Sequence, residues 1–210
     1  QDYYTNYPYG QPLSTLELSQ ELPKAILVGN KIFLSFQVEE SPNENLYLQL
    51  LYRENLSPYG SATALASSST SKQGFDMVPG EDGYIYYAFS EDYDISVKKI
   101  SNTGTVSWTA SAVSNSADDI VKAIYPSPGS GCVIIYESQG FIEGSHIYAV
   151  AISGSGQNQF SVLLSDRSED QYYESSTITN NGIFVSFKDN TSGDYDVYGQ
   201  HILFDGNLDF

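Results

Sequence analysis

Four copies of one pattern, each opened by a glycine, govern what this chain can become. Gly10-Gln-Pro-Leu-Ser-Thr-Leu-Glu-Leu-Ser returns as Gly60-Ser-Ala-Thr-Ala-Leu-Ala-Ser, Gly104-Thr-Val-Ser-Trp-Thr-Ala-Ser and Gly156-Gln-Asn-Gln-Phe-Ser-Val-Leu-Leu-Ser, and a fifth copy starts at Gly206-Asn-Leu-Asp-Phe. These glycines are 50, 44, 52 and 50 residues apart. A period near 50 that carries strand signals and no sustained helical periodicity marks an array of β-repeats.

Within each period the same series of short segments follows. The first covers Lys24 to Val28, Gly74 to Val78, Val121 to Tyr125 and Ser175 to Thr179, and each ends in a Gly- or Asn-containing turn. The strongest strand comes next, aligned as Ile32 to Phe36, Ile85 to Phe89, Val133 to Glu137 and Ile183 to Phe187. It is apolar on both faces, which predicts burial between two packed layers. A third strand covers Leu46 to Leu51, Ile95 to Ile100, Ile147 to Ile152 and Val197 to Ile202, and a fourth follows each glycine.

The expected fold is therefore all-β and β-propeller-like, with four repeats of about 50 residues forming four-stranded blades. The repeats fall near 20–68, 72–115, 117–166 and 168–210, in a single domain over 11–210 preceded by a Tyr-rich tail over 1–10. The last repeat stops just past its third strand, whereas the chain opens on a spare fourth strand, Leu13 to Leu18. That offset predicts that the N-terminal strand completes the last blade, in cis or in a neighbouring molecule. Leu13, Leu16 and Leu18, with Tyr3, Tyr4, Tyr7 and Tyr9 of the tail, are accordingly the candidate interaction residues.

Charge narrows the partners. With 26 acidic against 9 basic residues the net charge is −17, which opposes nucleic acid and anionic membranes. No apolar run approaches the roughly 20 residues of a spanning helix. The lone Cys132 sits in an apolar run and reads as a buried small hydrophobe. High Tyr, Ser, Asn and Gly with few Lys suggests an extracellular or cell-surface protein. Two sequons, at Asn55 and Asn190, are candidate glycosylation sites.

The run Gly193-Asp-Tyr-Asp-Val-Tyr-Gly-Gln-His-Ile-Leu-Phe-Asp-Gly-Asn resembles the repeat of secreted β-propeller-like proteins, in which an Asp-Ile-Tyr-Ala-Gln-Arg-like strand precedes an Asp-Gly turn. The second repeat keeps Asp94-Ile95 and Asn102-Thr-Gly104, and the first and third keep Tyr47 and Tyr148. The resemblance implies the fold and a non-catalytic extracellular or surface role.

Acidic residues gather around the connections between second and third strands: Glu39, Glu40; Glu91, Asp92, Asp94; Glu137, Glu143; Asp189, Asp194, Asp196. In a blade array these connections share one rim. Ca²⁺, which takes six to eight oxygen ligands, is the one cofactor such residues suggest, and Asp92, Asp94, Asp189, Asp194 and Asp196 are its candidate ligands. His146 and His201 have no Cys or carboxylate at zinc-ligand spacing, and no phosphate loop or nucleophile elbow appears.

The sequence thus leads to a non-enzymatic extracellular structural or interaction protein, self-associating into a fibre or surface layer or binding other extracellular proteins or glycans. The alternative is a carbohydrate-binding or glycoside-processing propeller working through rim carboxylates, since glycoside hydrolysis needs only a carboxylate pair.

Overall fold

The computed structural model describes residues 13–209 apart from 15, 17, 41–42, 68–69, 71, 141–143 and 191–192. Among them there is no helix, and hence none long and apolar enough to cross a membrane. The fold is all-β and propeller-like: sixteen strands form four separate four-stranded antiparallel sheets, each a meander in chain order. The chain divides into two compact units, 1–69 and 70–210.

The first unit holds β1 (Gln20–Val28), β2 (Lys31–Glu40), β3 (Asn43–Tyr52) and β4 (Thr63–Ala66). One face of this sheet buries Leu34, Phe36, Val38 and Leu51, and Leu13 and Leu16 pack onto it. Phe36 and Tyr47 stack there with ring centroids 6.3 Å apart. No described residue from Leu13 to Leu18 is in a strand. Tyr3, Tyr4, Tyr7 and Tyr9 lie outside the described residues.

The second unit contains three sheets. The first is β5 (Lys72–Pro79), β6 (Ile85–Glu91), β7 (Asp94–Ile100) and β8 (Val106–Val113). The second is β9 (Asp118–Pro126), β10 (Gly131–Gly140), β11 (Gly144–Ser153) and β12 (Asn158–Leu163). The third is β13 (Gln171–Ile178), β14 (Gly182–Asp189), β15 (Asp196–Leu203) and β16 (Leu208–Asp209). Leu208 pairs with Ile202 and Asp209 with His201, so the chain's own C-terminal residues take the fourth place in the last sheet. This corrects the expectation that Leu13 to Leu18 fills it.

The three sheets pack face to face. Tyr86, Ala88, Ile95 and Val97 of the first meet Cys132, Ile134 and Tyr136 of the second. On the other face of that second sheet, Val133, Ile135 and Ala149 meet Ile183, Val185 and Phe187 of the third. Apolar residues on both faces of a middle strand are what such a stack demands. The third sheet departs from this on its far face, where Phe184 is 43% and Val197 77% exposed.

Each first strand of this unit carries a β-bulge, at places that agree to within one residue. Gly74 on β5, Lys122 on β9 and Glu174 on β13 have no partner of their own in the ladder to the second strand. Gly74 has φ +69°, and a Cβ there would sit 2.6 Å from the carbonyl oxygen of Val121, so this bulge also lets β5 approach β9 closely. A bulge twists its strand and re-aims the side chains around it. It thereby sets the geometry at the end of the stack where the polar residues collect.

Candidate functional site

Antiparallel pairing places the start of each first strand beside the end of its second strand. Gln73 lies opposite Ser90, Asp118 opposite Gln139, and Gln171 opposite Asp189. At this end of the first and second sheets of the larger unit, Gln73, Ser90, Glu91, Asp92, Tyr93 and Asp118 line an open pocket of about 170 Å³.

Two residues, Asp92 and Tyr93, join β6 to β7 between the paired Glu91 and Asp94. Their φ values are +53° and +73°, both in the left-handed region that a tight two-residue hairpin uses. Asp tolerates that region, but a bulky residue there stores of order 1–2 kcal/mol of strain. The strained turn sets Tyr93, 50% exposed, at the pocket.

The carboxylates around the pocket differ in their surroundings. Glu91 Oε1 lies 3.0 Å from the ammonium of Lys72, which is buried, and accepts from the Thr70 hydroxyl at 3.1 Å. That pairing supplies the partner that a buried ammonium requires. Asp118 lines the opposite wall, and among the described residues it has no ion pair. Behind it Asp119 is fully buried, and its Oδ2 accepts from Asn115 Nδ2 at 2.9 Å. Burial pushes the Asp119 carboxyl up to about 6, with the charges of Asp94 and Asp118 adding to the rise. Hydrogen bonds from Ser138 and Asn115 oppose it. A carboxyl whose ionisation burial opposes thus stands behind the pocket wall, and one paired with a buried ammonium stands in it.

The hydroxyl of Ser90 accepts from the backbone N–H of Val121 at 2.8 Å, which fixes β6 to β9 beneath the pocket. Next to Val121, the bulged Lys122 reaches Glu137 Oε2 at 2.6 Å, while Glu137 Oε1 accepts from the N–H of Tyr173 at 2.6 Å. Glu137, expected among the rim charges, is instead a buried strand residue that ties β10 to β9 and β13.

The five calcium candidates fall in two places. Asp92 lines the pocket and Asp94 accepts from the Ser114 hydroxyl at 3.1 Å, both at the β6–β7 hairpin. Asp189, Asp194 and Asp196 belong to the β14–β15 hairpin, where Asp189 is buried 3.8 Å from Arg167 and the other two are exposed. Among the described residues, no group of three or more His, Cys, Asp or Glu side chains is placed to hold a metal ion. Asn55 is exposed, its Oδ1 accepting from the N–H and hydroxyl of Ser57. Asn190 is half-buried.

Sequence reasoning missed Lys72, Asp118 and Asp119. A signal was available, because Lys72 and Asp119 stand at corresponding places just ahead of the recognised first segments.

No family model matches the chain, and no curated protein matches it by sequence. Solved structures do match in fold. A family-43 β-1,3-galactosidase solved with galactodeoxynojirimycin is 8% identical, with a TM-score of 0.59 over 93% of this chain and 78% of that one. A second family-43 β-1,3-galactosidase gives 0.55 at 9% identity over 88% of this chain, which spans only 43% of its length. A hypothetical protein from Leishmania major gives 0.56 at 9% identity, over 91% and 71% of the two chains. At such identities the likeness is one of fold. It corrects the expectation of a non-enzyme all the same, since several of the structures that share this architecture are named as glycoside hydrolases.

Proposed function

We propose that this chain acts on glycans outside the cell, as a glycoside-processing β-propeller-like protein whose rim pocket takes a sugar ring. One observation carries the reading: two sheets bring carboxylates of different surroundings, Glu91 and Asp118, into one pocket beside a tyrosine set in a strained turn. Carboxylates accept hydrogen bonds from sugar hydroxyls, and an exposed aromatic face suits the C–H face of a sugar ring.

In this reading Glu91, paired with Lys72, takes the proton of the attacking water. Asp118, on the opposite wall, is assigned the delivery of a proton to the departing glycosidic oxygen as its bond to the anomeric carbon breaks. The likeness to glycoside hydrolases supports the assignment at the level of fold alone.

The test is hydrolysis of a panel of aryl glycosides and oligosaccharides by the wild type, Glu91→Gln and Asp118→Asn. Turnover of one glycoside class that falls at least about a hundredfold in both variants, with folding intact, is the expected result. Turnover unaffected by either substitution would remove these residues from the role. A chain that binds a glycan at this pocket and turns over none of the panel would be a binding module.

A further inference from the structure

The largest cavity among those described lies away from the rim pocket. It is a cleft of about 530 Å³ between the end of β12 with its following loop and the outer strands of the third sheet. Leu163, Phe187 and Leu208 give it apolar walls, whereas Asp166, Arg167 and Gln200 give it polar groups. That volume falls in the range of small-ligand sites, and the mixture of many apolar and few polar groups is how such sites are built.

Arg167 is held for use. Its guanidinium lies 3.7 Å over the ring of Tyr198, a cation–π contact that leaves the edge of the fork open. Among the described residues its one ion pair is with Asp189, at 3.8 Å. A charge-assisted N–H···O bond spans about 2.7–2.9 Å, so Asp189 orients the guanidinium without occupying its donors. Arg167 is also one of only two arginines in a chain of net charge −17. An isolated, pre-oriented guanidinium at a cleft in so acidic a protein is suited to a planar anion.

We propose that this cleft binds a sugar ring bearing a carboxylate, a uronic acid, with the carboxylate on Arg167. Asp166 and Gln200 receive its hydroxyls, and Leu163 and Leu208 cover its apolar face. Asp166 in the same cleft sets the charge limit: a single carboxylate is tolerated beside it, whereas a doubly charged anion is repelled more strongly. The choice of a sugar rests on the glycan reading above. The site itself is built from other strands and stands apart from the rim pocket.

The experiment follows backbone amide shifts of the full chain during titration with D-glucuronate, D-glucose and sodium sulfate, for wild type, Arg167→Lys and Asp118→Asn. Saturable shifts at Leu163 to Arg167 and Tyr198 to Gln200 are expected with glucuronate, and glucose should bind at least about tenfold more weakly. Arg167→Lys keeps the charge but loses the fork, and should weaken glucuronate binding roughly ten- to a hundredfold. Asp118→Asn should leave it unchanged. No saturable shift in the cleft, equal binding of glucose, or an unaffected Arg167→Lys would overturn the proposal, as would sulfate binding as tightly as glucuronate. Failure of glycoside turnover leaves these outcomes untouched, and failure here leaves the turnover experiment untouched, so the two readings fall separately.

Discussion

Replacing Asp119 by Asn should make the protein more stable at neutral pH and alter how its stability depends on pH. Asp119 is fully buried, and its carboxyl titrates near 6 rather than at the ordinary aspartate value of 3.8. A pKa raised in the folded state means that the protonated form is the one the fold prefers. The stability it contributes is therefore fully present below pH about 4, declines as pH rises through about 6, and stays lost above that. A rise of that size corresponds to about 3 kcal/mol. Asn keeps the size and removes the charge, and the opposing bond from Asn115 is already contained in that net shift. At pH 7.5 the net gain is then about 3 kcal/mol, or roughly 6–12 °C in melting temperature for a chain of this size. Other groups titrate as well. Burial raises the carboxyl of Asp82, but hydrogen bonds from Lys99 and Tyr86 bring it below its usual value, so its contribution is lost as pH falls. The informative quantity is therefore the variant-minus-wild-type difference in urea unfolding free energy, measured from pH 3.5 to 7.5. It should start at or slightly below zero and rise by about 3 kcal/mol. A difference that is flat with pH, or a variant less stable at 7.5 than the wild type, would refute the account of Asp119 as a carboxyl whose ionisation burial opposes.

Two further substitutions probe the backbone around the pocket. Tyr93→Gly should stabilise the chain by about 1 kcal/mol in denaturant unfolding, because glycine occupies φ +73° without strain, while weakening glycan binding in the same sample. A destabilised variant would mean that the Tyr93 ring contributes more through packing than its turn costs. Gly74→Ala should cost about 2–4 kcal/mol, since its Cβ would meet the backbone oxygen of Val121 at 2.6 Å on top of the left-handed φ. Gly83→Ala, at φ +78° with nothing within 4 Å, should cost about 1 kcal/mol and serves as the comparison.

Much of the fold was legible because the chain writes it four times. Turn glycines, doubly apolar second strands and their spacing gave all-β repeats of four strands. The register was less legible. Aligning Val133 with Ile85 and Ile183 is off by one residue, because Pro126 pairs with Cys132 as Pro79 pairs with Ile85, and Cys132 faces the preceding sheet as Ile183 does. Where both faces of a strand are apolar, alternation carries no phase, so the sequence could not choose between the two. The first strands were also read too short. Their recognised segments begin within a residue of the bulges at Gly74, Lys122 and Glu174, where the extra residue breaks the period-two pattern. Lys72, Asp118 and Asp119 lie ahead of that break and dropped out of the site with it. Leu13 to Leu18 failed for another reason: two residues, Leu208 and Asp209, suffice to occupy the last fourth-strand position, and a strand that short carries no periodicity.

The same bulges explain why the chemistry collects at one end of the stack. In the body of the larger unit both faces of β6 and β10 are committed to packing, so a polar side chain there would be buried and would need a partner. Glu137 is such a case, and it is held by Lys122 and the N–H of Tyr173. Beyond the bulge the first strand is out of phase with the packed part, and its residues no longer have to match the neighbouring sheet. Asp118 and Gln73 can then face a pocket instead of a core. Deleting the bulge residue would shift their phase by one and turn them toward the packing faces, so the presence of the bulges at Gly74 and Lys122, more than the number of acidic residues at the rim, decides whether this end of the protein has a site at all.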